Sequence, residues 1–417
     1  MMEKLIKNQT REHLINNNLL SSKQHGFINK RSTVTQLLNY LDKCAEAISL
    51  GKVVDVIYFD FAKAFDTVPH RRLLHKLQAY GINGGILRWI ESFLTDRYQS
   101  VTVNGVRSKY QRVHSGVPQG SVLGPLLFVL YINDLPELVW SEIYLFADDT
   151  KIFNKVENIN DALKIQEDIN KLESWSKKWL LKFHPGKCHV LTLGKFSNIQ
   201  HAHPYVLGTT RLEHVDSEKD LGVVFDENLN FEEHIMNKIK KANSIVGLIK
   251  RSFVNLTASA FRQLYVAFVR PHLEYASPVW SPHLLKHINL IEGVQRRATK
   301  IVDTCRHLPY QDRLKRINIA TLKDRREMGD MVEVFKHINY YDKQILNCKL
   351  NPHTRPMRRH GFELQRNFGN DGLRGVQTNS FYYRCIKQWN DLPEEVVNST
   401  SLPTFKKRLT KTWTTQF

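Results

Sequence analysis

Between Glu142 and Phe153 two apolar stretches, Ile143-Tyr144-Leu145-Phe146 and Ile152-Phe153, flank a short segment that holds Ala147-Asp148-Asp149. β-Branched and aromatic runs around a short polar break predict a hairpin with its charges at the turn. A turn frees neighbouring side chains from strict strand alternation, so both acids can face one site. Adjacent carboxylates repel and raise one another's pKa, and a hard divalent cation relieves that repulsion. Taken alone, the pair also reads as a solvated turn. The rest of the chain has to decide.

A second acid stands in a similar place. Val53-Val54-Asp55-Val56-Ile57-Tyr58-Phe59 is a strand pattern ending in Asp60, and an acid at the carboxyl end of a buried strand is where site acids commonly sit. Asp66 lies six residues on, before Pro69, where a turn or capping role is the usual explanation. If the two strands are neighbours, Asp60, Asp148 and Asp149 converge at one sheet edge. Three such carboxylates suit two Mg²⁺ ions about 3.5–4 Å apart, the arrangement for in-line phosphoryl transfer.

Around these acids the pattern alternates strands and helices to about residue 230. Ser32 or Thr33 caps a helix that Gly51 stops, and Arg31 before it is either a surface charge or a phosphate contact. Residues 70–95 read as two helices, broken at Gly81 and Gly84-Gly85. Tyr98 to Val113 reads as a hairpin around Asn104-Gly105. Ser115-Gly116-Val117-Pro118-Gln119-Gly120-Ser121 is a turn into a helix whose first turn holds Pro125. Its glycines let backbone approach a ligand closely. An amphipathic helix follows over 160–181 and a strand over 188–193. Leu221-Gly222-Val223-Val224-Phe225-Asp226 is a further strand-turn piece. From Phe231 to about Tyr340 the pattern is helical, and 351–384 reads as loop-rich.

Charge narrows the class of partner. The 417 residues carry a net charge of +19, with 26 basic against 19 acidic residues up to position 200 and 34 against 22 beyond it. A surplus of this size attracts polyanions, nucleic acid first. Five cysteines without a Cys-x-x-Cys pair argue for reduced thiols and against a zinc finger. The apolar run from Val122 to Ile132 is too short to span a bilayer, so a soluble protein of the nucleus or cytoplasm, with no membrane partner, is expected.

Phe59-Asp60-Phe61-Ala62-Lys63-Ala64-Phe65-Asp66, then Gly116-Val117-Pro118-Gln119-Gly120-Ser121-Val122-Leu123-Gly124-Pro125, then Phe146-Ala147-Asp148-Asp149 resemble, in that order, successive palm motifs of reverse transcriptases. The match is to the non-LTR, LINE-type retrotransposon enzymes of the jockey-like group. Gly26-Phe27 with Arg31-Ser32 resembles a fingers motif. Val269-Arg270-Pro271-His272-Leu273-Glu274-Tyr275 and Val294-Gln295-Arg296-Arg297 resemble the region after the polymerase.

The resemblance implies an α+β fold: a right-hand polymerase palm of antiparallel sheet with packed helices, followed by a mainly helical thumb-like and C-terminal region. It divides the chain into partial fingers (1–50), palm with fingers elements (51–230), a basic thumb-like region (231–340) and a loop-rich C-terminal region (341–417). It implies an RNA-directed DNA polymerase using an RNA template, a DNA primer or target and dNTPs. Asp60, Asp148 and Asp149 become catalytic acids and ligands of two Mg²⁺ ions, with Mn²⁺ as substitute. Phe61, Phe65, Gln119, Gly120, Arg31 and Lys187 become substrate contacts, Phe65 lying under the sugar so that a 2′-hydroxyl clashes with its ring. Phe146, Ala147, Leu221 and Gly222 become primer or template contacts, Leu221-Gly222-Val223 as a primer-grip strand. With only 59 residues before Asp60 and no endonuclease domain, the chain is expected to be the carboxyl-terminal portion of a longer element protein. The alternative is a catalytically silent RNA-binding remnant with the same fold.

Overall fold

The computed structural model describes residues 1–194, 203–341, 362–364 and 378–416. They form two units, one of 1–36 with 52–216 and one of 37–51 with 217–417.

The first unit opens with helix α1 (Met2–Asn16), which charged residues hide from a periodicity search. Only Ile6, Thr10 and Leu14, spaced four apart, are buried. Helix α2 (Thr33–Ser49) follows in the chain and belongs to the second unit from Leu37 onward, its start capped by the Ser32 hydroxyl accepting from Thr35 N at 3.1 Å. Strand β1 (Val53–Phe59) is buried along almost its whole length, which is why it reads as an unbroken apolar run rather than an alternation. Its one interior acid, Asp55, accepts from Thr192 Oγ1 and Tyr205 Oη, each at 2.7 Å.

Short α3 (Ala64–Thr67) is followed by α4 (His70–Ala79) and α5 (Gly84–Leu94), separated at Gly81 as the sequence predicts. A ribbon comes next: β2 (Arg97–Gln99) pairs with β5 (Gln111–Val113), and β3 (Thr102–Val103) with β4 (Val106–Arg107). Both tip residues have positive φ, 49° at Asn104 and 82° at Gly105, the geometry that suits the twist of a two-residue hairpin. Helix α6 (Gly124–Tyr131) carries no charged residue and is buried at every position but Pro125.

Strands β6 (Glu142–Phe146) and β7 (Asp149–Val156) form the predicted hairpin, then α7 (Ile159–Trp179) packs its apolar stripe into the core. Strand β8 (His189–Leu193), the small β9–β10 hairpin (Val206–Leu207 and Thr210–Arg211) and β11 (Glu213–Val215) complete the unit. The main sheet runs β11-β8-β1-β7-β6 and is antiparallel except for the β11–β8 pair. The mixed helices and mainly antiparallel sheet give the α+β class the motifs implied.

In the second unit β12 (Ser217–Asp220) and β13 (Val223–Asp226) form a hairpin. Leu221-Gly222 is therefore its turn, with φ of 45° and 85°, and not the strand expected there. Helices follow at Glu232–Ser252, Leu285–Ala298, Leu322–Asn339, Phe381–Asn390 and Leu402–Gln416. A partly buried ion pair, Arg384 to Asp330 at 2.9 and 3.0 Å, ties two of them together. The loop-rich expectation for 351–384 falls mostly outside the described residues. No described helix is long and apolar enough to cross a membrane.

Candidate active site

Strand pairing brings the predicted acids to one end of the sheet. Phe59 of β1 stands opposite Thr150 of β7, so Asp60, one residue on, and Asp149, one residue back, leave the sheet at the same edge. Asp148 occupies the β6–β7 turn beside them. Its carboxyl pKa is raised, first by burial and further by the negative charge of Asp60. Asp149 is exposed.

The turn is held by a distant segment. Lys23 to Gly26 runs alongside β6, with Leu145 N donating to Lys23 O at 3.1 Å and His25 N to Leu145 O at 2.7 Å. The Gln24 side-chain carbonyl accepts from both Gly26 N at 2.7 Å and Ala147 N at 3.0 Å. Ala147 itself is left-handed, φ 54°. A Cβ on Gly26 would sit 2.3 Å from Ala147 N, so only glycine lets the two backbones meet. Arg31 closes the segment from the other side, its Nη1 donating to the carbonyls of Ser21 at 3.0 Å and of Gln24. Arg31 thus has a structural job that the sequence did not reveal.

A cation already faces the acids. Lys187 Nζ is 3.1 Å from Asp60 Oδ2, brought there because His184 N donates to Asp60 O at 2.7 Å and Ala62 N to Lys182 O at 2.8 Å. Cys188, next in sequence, is buried and its thiol is pushed up to about 11, chiefly by that burial. It is an inert packing residue.

The glycine-proline turn docks elsewhere. Gly116 N donates to Val68 O and Val117 N to Phe65 O, each at 2.8 Å. A Cβ on Gly116, φ 89°, would meet Asp66 O at 2.7 Å. Gln119 Nε2 donates to Asp66 Oδ1 at 3.0 Å, so Asp66 positions Gln119. Gly120, φ 80°, borders open space. Glu3 of α1 accepts from Val122 N and Leu123 N at 2.8 and 3.2 Å and steadies the entry to α6.

The aromatic candidates divide. Phe65 is half-buried and stacks on Phe128 with centroids 4.4 Å apart. The Phe61 ring is buried against Phe183 at 4.4 Å, so that ring is core and not surface. Phe146 is half-buried and Ala147 buried. Leu221 and Gly222 lie in the second unit, where their carbonyls accept from Tyr275 Oη at 2.9 Å and Lys238 Nζ at 3.1 Å.

Among the described residues no three His, Cys, Asp or Glu side chains already stand together as a metal cage. The donor chemistry fits a hard cation nonetheless. Asp60 and Asp148 are oxygen donors, the charge of Asp60 adds to the raised pKa of Asp148, and the Lys187 ammonium supplies a counter-charge to Asp60.

A family model described as reverse transcriptase (RNA-dependent DNA polymerase) matches residues 1–225. The RNA-directed DNA polymerase from mobile element jockey of Drosophila funebris is 30% identical over 315 residues, 69% of this chain and 34% of the relative. The probable RNA-directed DNA polymerase from transposon BS of Drosophila melanogaster is 27% identical over 387 residues, 86% of this chain and 41% of the relative. The chain thus spans between a third and about two fifths of the length of these relatives. A structure of apo telomerase from Candida tropicalis superposes with a TM-score of 0.45 at 11% identity, covering 75% of this chain and 51% of that one.

Proposed function

Because the chain belongs to the reverse transcriptase (RNA-dependent DNA polymerase) family, we propose that it is the polymerase portion of a jockey-like, non-LTR retrotransposon protein. It adds deoxynucleotides to a DNA primer on an RNA template, inside the cell and with access to nuclear DNA. The observation that carries the reading is the meeting of Asp60 and Asp148 at one sheet end, inside the segment the family model matches. Residues 51–230 act as the palm, 1–50 contribute fingers elements, and the basic helices of 231–340 grip the hybrid through its backbone.

Asp60 and Asp148 would hold the divalent cations, with Asp149 as a weaker ligand. Bound there, two Mg²⁺ ions, or Mn²⁺ in their place, would lower the pKa of the primer 3′-hydroxyl and neutralise charge on the triphosphate. The chain's own residues do the rest. Gln24 and Gly26 hold the Asp148 turn still, so the carboxylate meets the reacting atoms without reorganising. Lys187 remains beside Asp60 to meet the charge of the leaving pyrophosphate. Phe65, backed by Phe128, forms the floor beneath the sugar and rejects a 2′-hydroxyl by contact. Gln119, Gly120 and Arg31 contact nucleotide or template, Phe61 does so through its backbone, and Phe146-Ala147 and Leu221-Gly222 border the primer.

The test is extension of oligo(dT) on poly(A) with Mg²⁺ and dTTP, beside Asp148→Ala,Asp149→Ala. Extension by the natural chain and none by the variant is expected. Equal extension by both removes the site assignment. No extension by the natural chain, with RNA still bound, leaves the silent RNA-binding remnant as the reading.

A further inference from the structure

The ribbon β2–β5 has no role in the site just described, yet its surface is unusual. Every residue from 101 to 112 is exposed. Among them and their neighbours Tyr98, Val101, Val103, Val106 and Tyr110 are 60–74% exposed. A two-stranded ribbon with no buried face is marginal in water, and clustered exposed apolar side chains mark a contact surface. Between 96 and 113 four basic residues (Arg97, Arg107, Lys109, Arg112) face a single acid, Asp96.

Register decides how these groups line up. Tyr98 stands directly opposite Arg112, so both project from the same face, and Tyr110 lies immediately before that strand. Arg107 extends the row, its Nη1 donating to Tyr110 Oη at 2.9 Å with the guanidinium 5.9 Å from the ring. Rings and guanidiniums are therefore paired along the exposed ribbon, Tyr98 with Arg112 and Tyr110 with Arg107. The acid does not spoil it, because Asp96 pairs with Arg112 at 2.6 Å in an exposed contact that costs little to exchange.

We propose that this ribbon is a binding arm for a single strand of RNA, the template outside the hybrid. Exposed rings gain most from bases whose faces are not already stacked, and guanidiniums supply the phosphate contacts between them. A protein partner would have to bring its own acids to a surface with this charge. The arm also feeds the site covalently, since β5 leads through His114 and Ser115 to Gln119. That the strand is RNA rests on the polymerase reading; that it is single follows from the rings.

The test uses the full chain and a fluorescein-labelled single-stranded RNA of mixed sequence, with the duplex RNA and single-stranded DNA of that sequence as companions. Tyr98→Ala with Tyr110→Ala should weaken single-stranded RNA binding by about tenfold or more and leave duplex binding unchanged. Tyr98→Phe with Tyr110→Phe should keep full affinity. Arg107→Gln with Arg112→Gln should weaken binding and lower the salt slope by about 1–1.5. All three should melt with the natural chain. Affinities within twofold of it throughout would overturn the arm. Unchanged RNA binding together with altered self-association would assign the face to protein, and a loss confined to single-stranded DNA would overturn the choice of RNA. Extension on a template with a single-nucleotide overhang separates the two readings. Failure of the natural chain there, with the tyrosine-dependent RNA loss intact, sinks the polymerase reading and leaves the arm standing.

Discussion

Lys187 Nζ and Asp60 Oδ2 lie 3.1 Å apart, so the first acid of the site is already matched by a cation of the chain's own. Both side chains are more than a third exposed, 64% and 37%, and such a pair is worth about 0.5–1 kcal/mol. Lys187→Met should therefore lower the Mg²⁺ concentration for half-maximal primer extension by about two- to fivefold. The maximal rate should fall as the pyrophosphate loses a counter-charge. A metal titration of extension rate checks both, and an unchanged metal dependence would separate Lys187 from the site.

Asp148 links function to stability with opposite signs. Burial and the Asp60 charge raise its pKa in the folded chain, so the folded state holds a proton that the unfolded state has released. Stability from this group falls as pH rises from the ordinary carboxylate value through the raised one, and stays lower above it. Asp148→Asn should raise the melting temperature at neutral pH by about 1–3 °C while abolishing extension. The acid limb of the natural chain's activity should lie above that of an ordinary aspartate. Calorimetry and a pH–rate profile read the two halves.

The segment holding the turn makes a sharper demand. Gln24→Met leaves the buried N–H groups of Gly26 and Ala147 without their acceptor, a loss of about 2–4 kcal/mol. Gly26→Ala forces a methyl group into the Ala147 backbone and should cost about 2 kcal/mol or more. Both variants should lose extension rate more than RNA affinity, measured on protein shown by circular dichroism to be folded. Loss of affinity alone would contradict this.

Phe65 is both floor and packing. Replacing it with Val removes the stacked contact with Phe128 and should destabilise by about 1–2 kcal/mol. If its ring also rejects ribonucleotides, the dNTP-over-rNTP ratio of kcat/KM should fall at least tenfold. Unchanged discrimination with the stability loss present makes Phe65 a core residue only.

Lys76 gives a prediction far from the acids. Its ammonium is buried, 3.9 Å from the Trp179 ring centroid and 4.9 Å from that of Trp175, and donates to Asp134 Oδ1 and Tyr131 O at 2.5 Å. Burial lowers its pKa to about 8 against the partial compensation of Asp134. Between about pH 8 and the ordinary lysine value the unfolded chain holds a proton the folded chain has released. Stability from this group therefore rises with pH across that window. Lys76→Met should erase the rise, as urea melts at stepped pH would record.

What the sequence disclosed follows from the range of each interaction. Buried strands and hairpin turns are local, so β1, the β6–β7 hairpin and the acids at their ends could be read directly. The Gln24–Ala147 bond spans 123 positions and leaves only one trace, a glycine two residues after a glutamine. The grip of Arg31 on carbonyls and of Asp66 on Gln119 is equally silent, because a charged residue near a turn looks the same whether it serves solvent or backbone. Helix α1 escapes a periodicity search because three buried positions among fifteen do not make a stripe, and Leu221-Gly222 reads as strand because a tight turn between short strands shares its apolar signal.

The pairing of Phe59 with Thr150 has a consequence for how such a chain can change in length. Side chains alternate faces along a strand, so adding or removing one residue in β1 or β7 would send every acid beyond it to the wrong side of the sheet. Insertions of two would restore the face but carry the acids apart by roughly 7 Å. The five-stranded sheet thus behaves as a fixed ruler, and length variation is expected where no site acid depends on the pairing: at the tip of the ribbon around Asn104-Gly105, outside that sheet, and never between Val53 and Asp60.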